Sequence, residues 1–262
     1  MENLSVVIIG TGGVAESLAV AISKSETLDL VQVWGRNLNR AMDIVEMADC
    51  WSGGEDPMDL EAADIYIMAI SDRAVARLSS FLEFPDYAVV VHTAGSVPIT
   101  DIAHPNAAVL YPMQTFSVGR QMDFARIPLF IEGSNPYSLE LIREVAEGLS
   151  SSIYEMSSEG RKSLHLCAVF ACNFTNAMCA ATKDLAEKSG LTFEVFKPLI
   201  EESFSKILSA ESPRAIQTGP AARGDKETQE CHEAMLQAQG EGQLEEIYKL
   251  ISKYIWETSK KM

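Results

Sequence analysis

Leu4-Ser5-Val6-Val7-Ile8-Ile9-Gly10-Thr11-Gly12-Gly13-Val14-Ala15-Glu16-Ser17-Leu18 is the stretch whose reading decides the fold. A mostly apolar, β-branched-rich run leads straight into Gly10-x-Gly12-x-x-Ala15. A helical pattern follows at once, with Val14, Leu18, Ala21 and Ile22 on one side. In a strand–turn–helix each small residue has a task. Gly10 permits the tight turn, Gly12 removes a Cβ where a pyrophosphate approaches, and Ala15 lets the helix pack close to the strand. The free N–H groups and dipole of the helix start then face an anion. Gly10, Thr11, Gly12, Gly13, Val14 and Ala15 are therefore expected to hold a dinucleotide. The alternative is a glycine turn in an α/β core that binds nothing.

Leu28 to Trp34 reads as the second parallel strand and ends in Gly35-Arg36-Asn37-Leu38-Asn39-Arg40. An acid at this place would hold the ribose hydroxyls of NAD. Arg36 stands there instead, with Asn37 beside it and Arg40 one turn on. A guanidinium offers a fork of donors that suits a phosphate, and residues 41–64 are rich in acids and hold no base. Gly35, Arg36, Asn37 and Arg40 thus point to NADP, with an arginine pair on a surface loop as the other reading.

Further apolar strands lie at Ala63–Ile70, Tyr87–His92, Ala107–Leu110, Pro128–Ile131 and Ser152–Tyr154, with helical segments between them. The alternation predicts an α/β fold with a doubly wound, mainly parallel sheet. Ligands of such a sheet lie outside the carboxyl ends of its strands. Ile70 and Ser71 are expected along the nicotinamide half of the dinucleotide. His92 and Gln114 stand on the same rim, either facing a substrate or satisfying their own loops.

From about Ser157 the texture becomes helical, which places a domain boundary near Glu155, with domains 1–155 and 156–262. One long helix is expected from Ser158 to Ser189. A wheel at 100° per residue puts Leu166, Phe170, Phe174, Ala177, Met178, Ala181 and Leu185 on one face. His165, Cys172, Asn176 and Lys183 share the opposite line, with Val169 and Asn173 at its margin. That line reads as a buried or cleft-lining stripe. His165 is the residue on it able to exchange a proton near neutral pH, and Asn173 and Asn176 are either substrate contacts or structural bridges. Further helices are expected at about Thr192–Ser209, Asp225–Ala238 and Glu241–Thr258. The loop Thr218-Gly219-Pro220-Ala221-Ala222-Arg223-Gly224-Asp225 offers Asp225 as a helix cap and Arg223 as a carboxylate ligand.

The formal net charge of −16 over 262 residues argues against nucleic acid and against an anionic membrane. The five cysteines lack a C-x-x-C spacing and read as reduced, mostly buried small hydrophobes. The four histidines show no metal-ligand spacing, so no metal is expected. No stretch reads as a membrane span or signal peptide, which predicts a cytoplasmic protein.

Gly10-Thr11-Gly12-Gly13-Val14-Ala15, Trp34-Gly35-Arg36, His92-Thr93-Ala94-Gly95-Ser96, Tyr111-Pro112-Met113-Gln114-Thr115-Phe116, the run Ala168 to Asn176 and the 218–225 loop together resemble a known family. It is an uncharacterised bacterial Rossmann-like family whose C-terminal part is the domain of unknown function numbered 2520. Its members are provisionally called NADP oxidoreductases. More distantly the chain is similar to pyrroline-5-carboxylate reductase and ketopantoate reductase. The resemblance implies an NADP-binding Rossmann domain followed by an all-helical domain like the C-terminal part of 6-phosphogluconate dehydrogenase. It also implies hydride transfer to a small molecule bound between the domains, and a homodimer formed through the helical one. The lysine–asparagine pair of related hydroxyacid dehydrogenases is not matched: Leu166 lies four after Lys162, and Val169 four after His165. An NADP(H)-dependent oxidoreductase of a small carbonyl or imine compound is the leading expectation, with His165, Asn173 and Asn176 catalytic and His92, Gln114 and Arg223 on the substrate. The alternative is an NADPH-binding sensor that turns nothing over.

Overall fold

The computed structural model describes residues 3–50, 52–54, 56, 59–120 and 122–259. The chain divides into two compact units, residues 1–173 and 174–262.

The first unit is built on an eight-stranded sheet: β1 (Leu4–Ile9), β2 (Leu28–Trp34), β3 (Ser52–Gly54), β4 (Ile65–Met68), β5 (Val89–His92), β6 (Ala107–Pro112), β7 (Leu129–Gly133) and β8 (Ile153–Glu155), in the order β3-β2-β1-β4-β5-β6-β7-β8. All neighbours pair parallel except β6 and β7. β1 lies between β2 and β4, so both of its edges are paired, and with helices over both faces Val6 to Ile9 are all fully buried. That is why the run is apolar without alternation. Val6 and Ile8 pack toward α1 (Gly13–Ile22), α2 (Leu38–Ala48) and α4 (Pro136–Glu147). Val7 and Ile9 pack toward α3 (Val75–Phe81) on the other face.

The doubly wound, mainly parallel Rossmann-like sheet is thus present, with its strands near the expected places. β3 is the addition. Its Ser52-Gly53-Gly54 carries no strand-forming side chain, and it pairs with Gln32 to Trp34 through its backbone.

The texture change near Glu155 coincides with the end of β8, yet the first compact unit runs on to Asn173. The reason is α5 (Ser158–Ala168), whose start is fastened to the sheet by Arg161. This guanidinium is 1% exposed and pairs with Glu132 on β7 at 2.5 Å.

The long helix expected over Ser158–Ser189 is interrupted. After α5 a π-helical segment spans Val169–Phe174, and α6 (Thr175–Lys188) continues. A π turn leaves one extra residue per turn and resets the angular register, so the 100° wheel does not carry across it. The residues of the expected polar line are half-buried or exposed rather than buried: His165 and Cys172 are half-buried, while Asn173, Asn176 and Lys183 are exposed. An 18-residue window of this helix, with a mean hydropathy of 1.4, is apolar enough by length and composition to cross a membrane, which corrects the expectation that no stretch would pass. Its first turns nevertheless carry the ion-paired Arg161. The cysteines also differ from expectation, for none is buried: Cys167 and Cys231 are exposed and the others half-buried.

The second unit holds α6, α7 (Lys197–Ser209), α8 (Pro220–Arg223), α9 (Lys226–Ala238) and α10 (Gly242–Ser259). Pro198 sits in the first turn of α7, where its missing N–H costs nothing. Asp225 caps α9 by accepting from the Thr228 N–H at 3.1 Å.

Candidate functional site

The glycine turn joins β1 to α1 at the point where the strand order reverses. Gly10 has φ +136°, and a Cβ there would lie 2.1 Å from the Ala69 carbonyl oxygen, so only glycine lets β1 end this close to β4. Gly12 is the N-cap of α1, and no side chain caps that end. The first intrahelical bond there is Glu16 N–H to the Gly12 carbonyl, so the N–H groups of Gly13, Val14 and Ala15 have no helical acceptor. Nothing lies within 4 Å of a Cβ built at Gly12. An uncapped, positively polarised helix start beside open space fits an anion. The arrangement therefore fits a dinucleotide pyrophosphate.

The end of β2 stands next to this turn. Gly35 is buried against the Thr11 methyl group, and its N–H donates to the Gly54 carbonyl at 2.9 Å. Among the residues expected to grip a phosphate, the structure separates three roles. Arg36 is exposed. Asn37 caps α2, its side chain accepting from the Arg40 N–H at 3.1 Å. Arg40 is drawn to Glu16 and to Asp43 at 3.3 Å. Glu16 is itself buried on α1 and accepts from the Gly119 N–H at 2.8 Å. Sequence reading passed over Glu16 because a lone acid after a glycine motif carries no local signature.

At the ends of β4 and β5, Ile70 is half-buried and Ser71 exposed, with the Asp72 carboxylate accepting from the Ser96 hydroxyl at 2.5 Å. His92 does not line this rim. It is fully buried, and its Nδ1 accepts from the Ala94 N–H at 3.1 Å. Burial, with the Arg161 charge nearby, lowers its pKa to about 4, so the ring is neutral. A residue in that position shapes the 93–97 loop rather than touching a substrate. Gln114 is exposed, its side-chain oxygen accepting from the Thr115 N–H at 2.9 Å.

Arg161 links the loop after β5 to α5. It donates to the Ala94 carbonyl at 3.2 Å and to the Val97 carbonyl at 2.5 Å. Glu132 accepts from the Ser158 N–H at 2.9 Å and from its hydroxyl at 2.8 Å, closing the helix start on the same carboxylate. One turn beyond Arg161, His165 comes to rest over Gly95. A Cβ at Gly95 would lie 2.6 Å from His165 Nδ1, so the missing side chain admits the imidazole. The Tyr111 hydroxyl lies 3.2 Å from that same Nδ1. Tyr111 is 9% exposed, and burial raises its pKa, partly offset by Arg161. His165 thus joins the rim residues Gly95 and Tyr111. Asn173 is exposed on the π segment, and Asn176 and Arg223 are exposed in the second unit. Among the described residues no three His, Cys, Asp or Glu side chains gather as a metal site.

Comparison with known proteins adds to this geometry. Residues 127–255 match the family model described as a domain of unknown function, DUF2520. No curated protein matches the sequence. Among solved structures, a Bacteroides fragilis protein provisionally described as an NADP oxidoreductase is 37% identical, with a TM-score of 0.88 over 97% of this chain and 98% of its own. A reductive aminase from Aspergillus terreus, solved with NADPH and ethyl levulinate, superposes with a TM-score of 0.70 at 15% identity, covering 99% of this chain and 94% of its own. A pyrroline-5-carboxylate reductase from Streptococcus pyogenes gives 0.64 at 15% identity, covering 99% of each chain. At such identities the last two share the fold.

Proposed function

Because this chain belongs to the Rossmann-like family that carries the DUF2520 domain, we propose that it is an NADP(H)-dependent oxidoreductase acting on a small carbonyl or imine compound. The observation that carries the reading is the open, uncapped start of α1 beside an exposed Arg36, with no acid at the end of β2. The N–H groups of Gly13, Val14 and Ala15 would hold the pyrophosphate, and Arg36 the ribose phosphate that distinguishes NADP from NAD. Arg40, already engaged by Glu16 and Asp43, would support Arg36 from the side. When bound, the reduced dinucleotide supplies a hydride. Ile70 and Ser71 would flank its nicotinamide, and His165 would give a proton to the substrate oxygen or nitrogen. The roles expected for Asn173 and Asn176 rest on the polar line of the helical wheel, that of Arg223 on the 218–225 loop, and a cytoplasmic location on the sequence reading.

The reading is tested by titrating Arg36→Ala with both cofactors. Loss of a charged phosphate contact should weaken NADPH binding by about 10- to 100-fold and leave NADH binding nearly unchanged. Equal losses would remove the basis for NADP. A panel of oxo-acids, aldehydes and cyclic imines, with His165→Ala as control, then looks for NADPH oxidation. Tight binding with no turnover in the whole panel would favour an NADPH sensor.

We also propose that the chain forms a homodimer through its helical unit. Among the described residues there, Ala186, Ala221 and Leu236 are the buried hydrophobics, while Leu199, Leu208, Leu250 and Tyr254 are exposed.

A further inference from the structure

Resting on the reductase reading above, we propose that Tyr111 is a positioning residue for His165, holding its Nδ1 so that Nε2 is the nitrogen that hands over the proton. Two independent contacts fix the imidazole. The Tyr111 hydroxyl meets Nδ1 at 3.2 Å, and Gly95 leaves room for the ring on the side where a Cβ would come within 2.6 Å of the same atom. The two rings meet edge to face, with centroids 6.1 Å apart and planes at 74°. α5 cannot slide away from this contact, because Arg161 ties it to the Ala94 and Val97 carbonyls and to Glu132. Tyr111 is in turn fixed on β6, which pairs with β7 through Tyr111 and Phe130.

A hydroxyl suits this position because it is both donor and acceptor. It donates to the bare Nδ1 of the neutral ring and accepts from Nδ1–H of the imidazolium. In the imidazolium and in the resting neutral ring Nε2 carries a hydrogen, and no described residue bonds to it. Burial keeps Tyr111 a phenol, so the hydroxyl hydrogen is present throughout the neutral range. As the substrate carbon takes up a hydride, its oxygen or nitrogen must gain a proton. The imidazolium Nε2–H bond breaks, an O–H or N–H bond forms, and the electron pair stays on Nε2. The ring is left neutral with its hydrogen on Nδ1, held by the Tyr111 oxygen, and a solvent proton returning to Nε2 resets it. The sequence shows Tyr111 only within the run Tyr111 to Phe116 and assigns it no role, since nothing local pairs residues 54 apart in the chain.

The experiment is nitrogen NMR of histidine-labelled protein without any substrate, with His165 assigned by the loss of its signals in His165→Gln. In the wild type the neutral ring should be the Nε2–H tautomer, with Nδ1 shifted as a hydrogen-bond acceptor. Tyr111→Phe should move Nδ1 toward the position of an unbonded imine nitrogen, and Gly95→Ala should do the same by pushing the ring aside. Thermal melts and NADPH titration report whether each variant is folded. Unchanged His165 shifts in a folded Tyr111→Phe protein would overturn the proposal. In any assay where the wild type oxidises NADPH, Tyr111→Phe should lower kcat by about tenfold with little change in the NADPH KM; an unaltered kcat would also overturn it. If no compound in the panel is reduced, the reductase reading falls, and the NMR result alone decides what Tyr111 does to His165.

Discussion

A methyl group at Gly95 would occupy the place of the His165 ring, so the missing side chain lets the loop after β5 close on the imidazole. Gly95→Ala should cut turnover by about 100-fold, the usual effect of misplacing a reacting group by an ångström, while NADPH titration shows unchanged affinity. His92, fully buried at the end of β5, makes a different prediction. Its pKa in the fold is about 4 against an ordinary 6.5. Between those values the unfolded chain binds a proton that the folded chain refuses, so stability falls as the pH drops through this window. The full loss attributable to His92 is about 3 kcal/mol. His92→Asn keeps an acceptor for the Ala94 N–H but cannot titrate. Urea unfolding at pH 7 and pH 5 should therefore show a smaller acid loss in the variant than in the wild type.

At the scale of elements, the clamp between β7 and α5 is the contact most exposed to mutation. Glu132→Gln leaves the Arg161 charge buried without a partner and should cost about 3 kcal/mol or more, read by urea unfolding. The double substitution Glu132→Gln with Arg161→Met removes both charges and should recover part of that loss. Little of this was legible in the sequence. Arg161 and Glu132 are 29 residues apart and neither carries a local signal. The parallel strands were legible because buried strands are continuous apolar runs, and the turn after β1 because its small residues follow a strand and open a helix. β3 was not, since two of its three residues are glycines. The π segment escaped for another reason: a wheel drawn at 100° presumes an unbroken α-helix, and nothing in Val169 to Phe174 announces the wider turn. The rim was readable as a set of strand ends, yet which side chains point out of it was not. His92 turned inward and Tyr111 came forward, a choice made by packing against Arg161 and His165.

At the scale of the whole molecule, the two units differ in how well they close on themselves. The sheet unit has a continuous core on both faces. The helical unit leaves Leu208 84% exposed, and α6, α9 and α10 line an open, mainly apolar groove of about 340 Å³. The proposed second copy would cover this exposed apolar surface. Light scattering after size exclusion should give twice the chain mass, and Leu208→Glu combined with Leu250→Glu should shift it toward one. A wild-type monomer at micromolar concentration would end the dimer proposal.

β1 lies inside the sheet, between a neighbour near in sequence and a distant one, and this sets a timetable for the growing chain. It pairs with β2 once residue 34 exists, but its other edge waits for Met68. At the usual ~5–20 residues per second, the nascent protein carries this mostly apolar strand with one edge unpaired for roughly 2–7 s. The stretch that anchors the finished fold is thus the one that most needs shelter while the protein is being made.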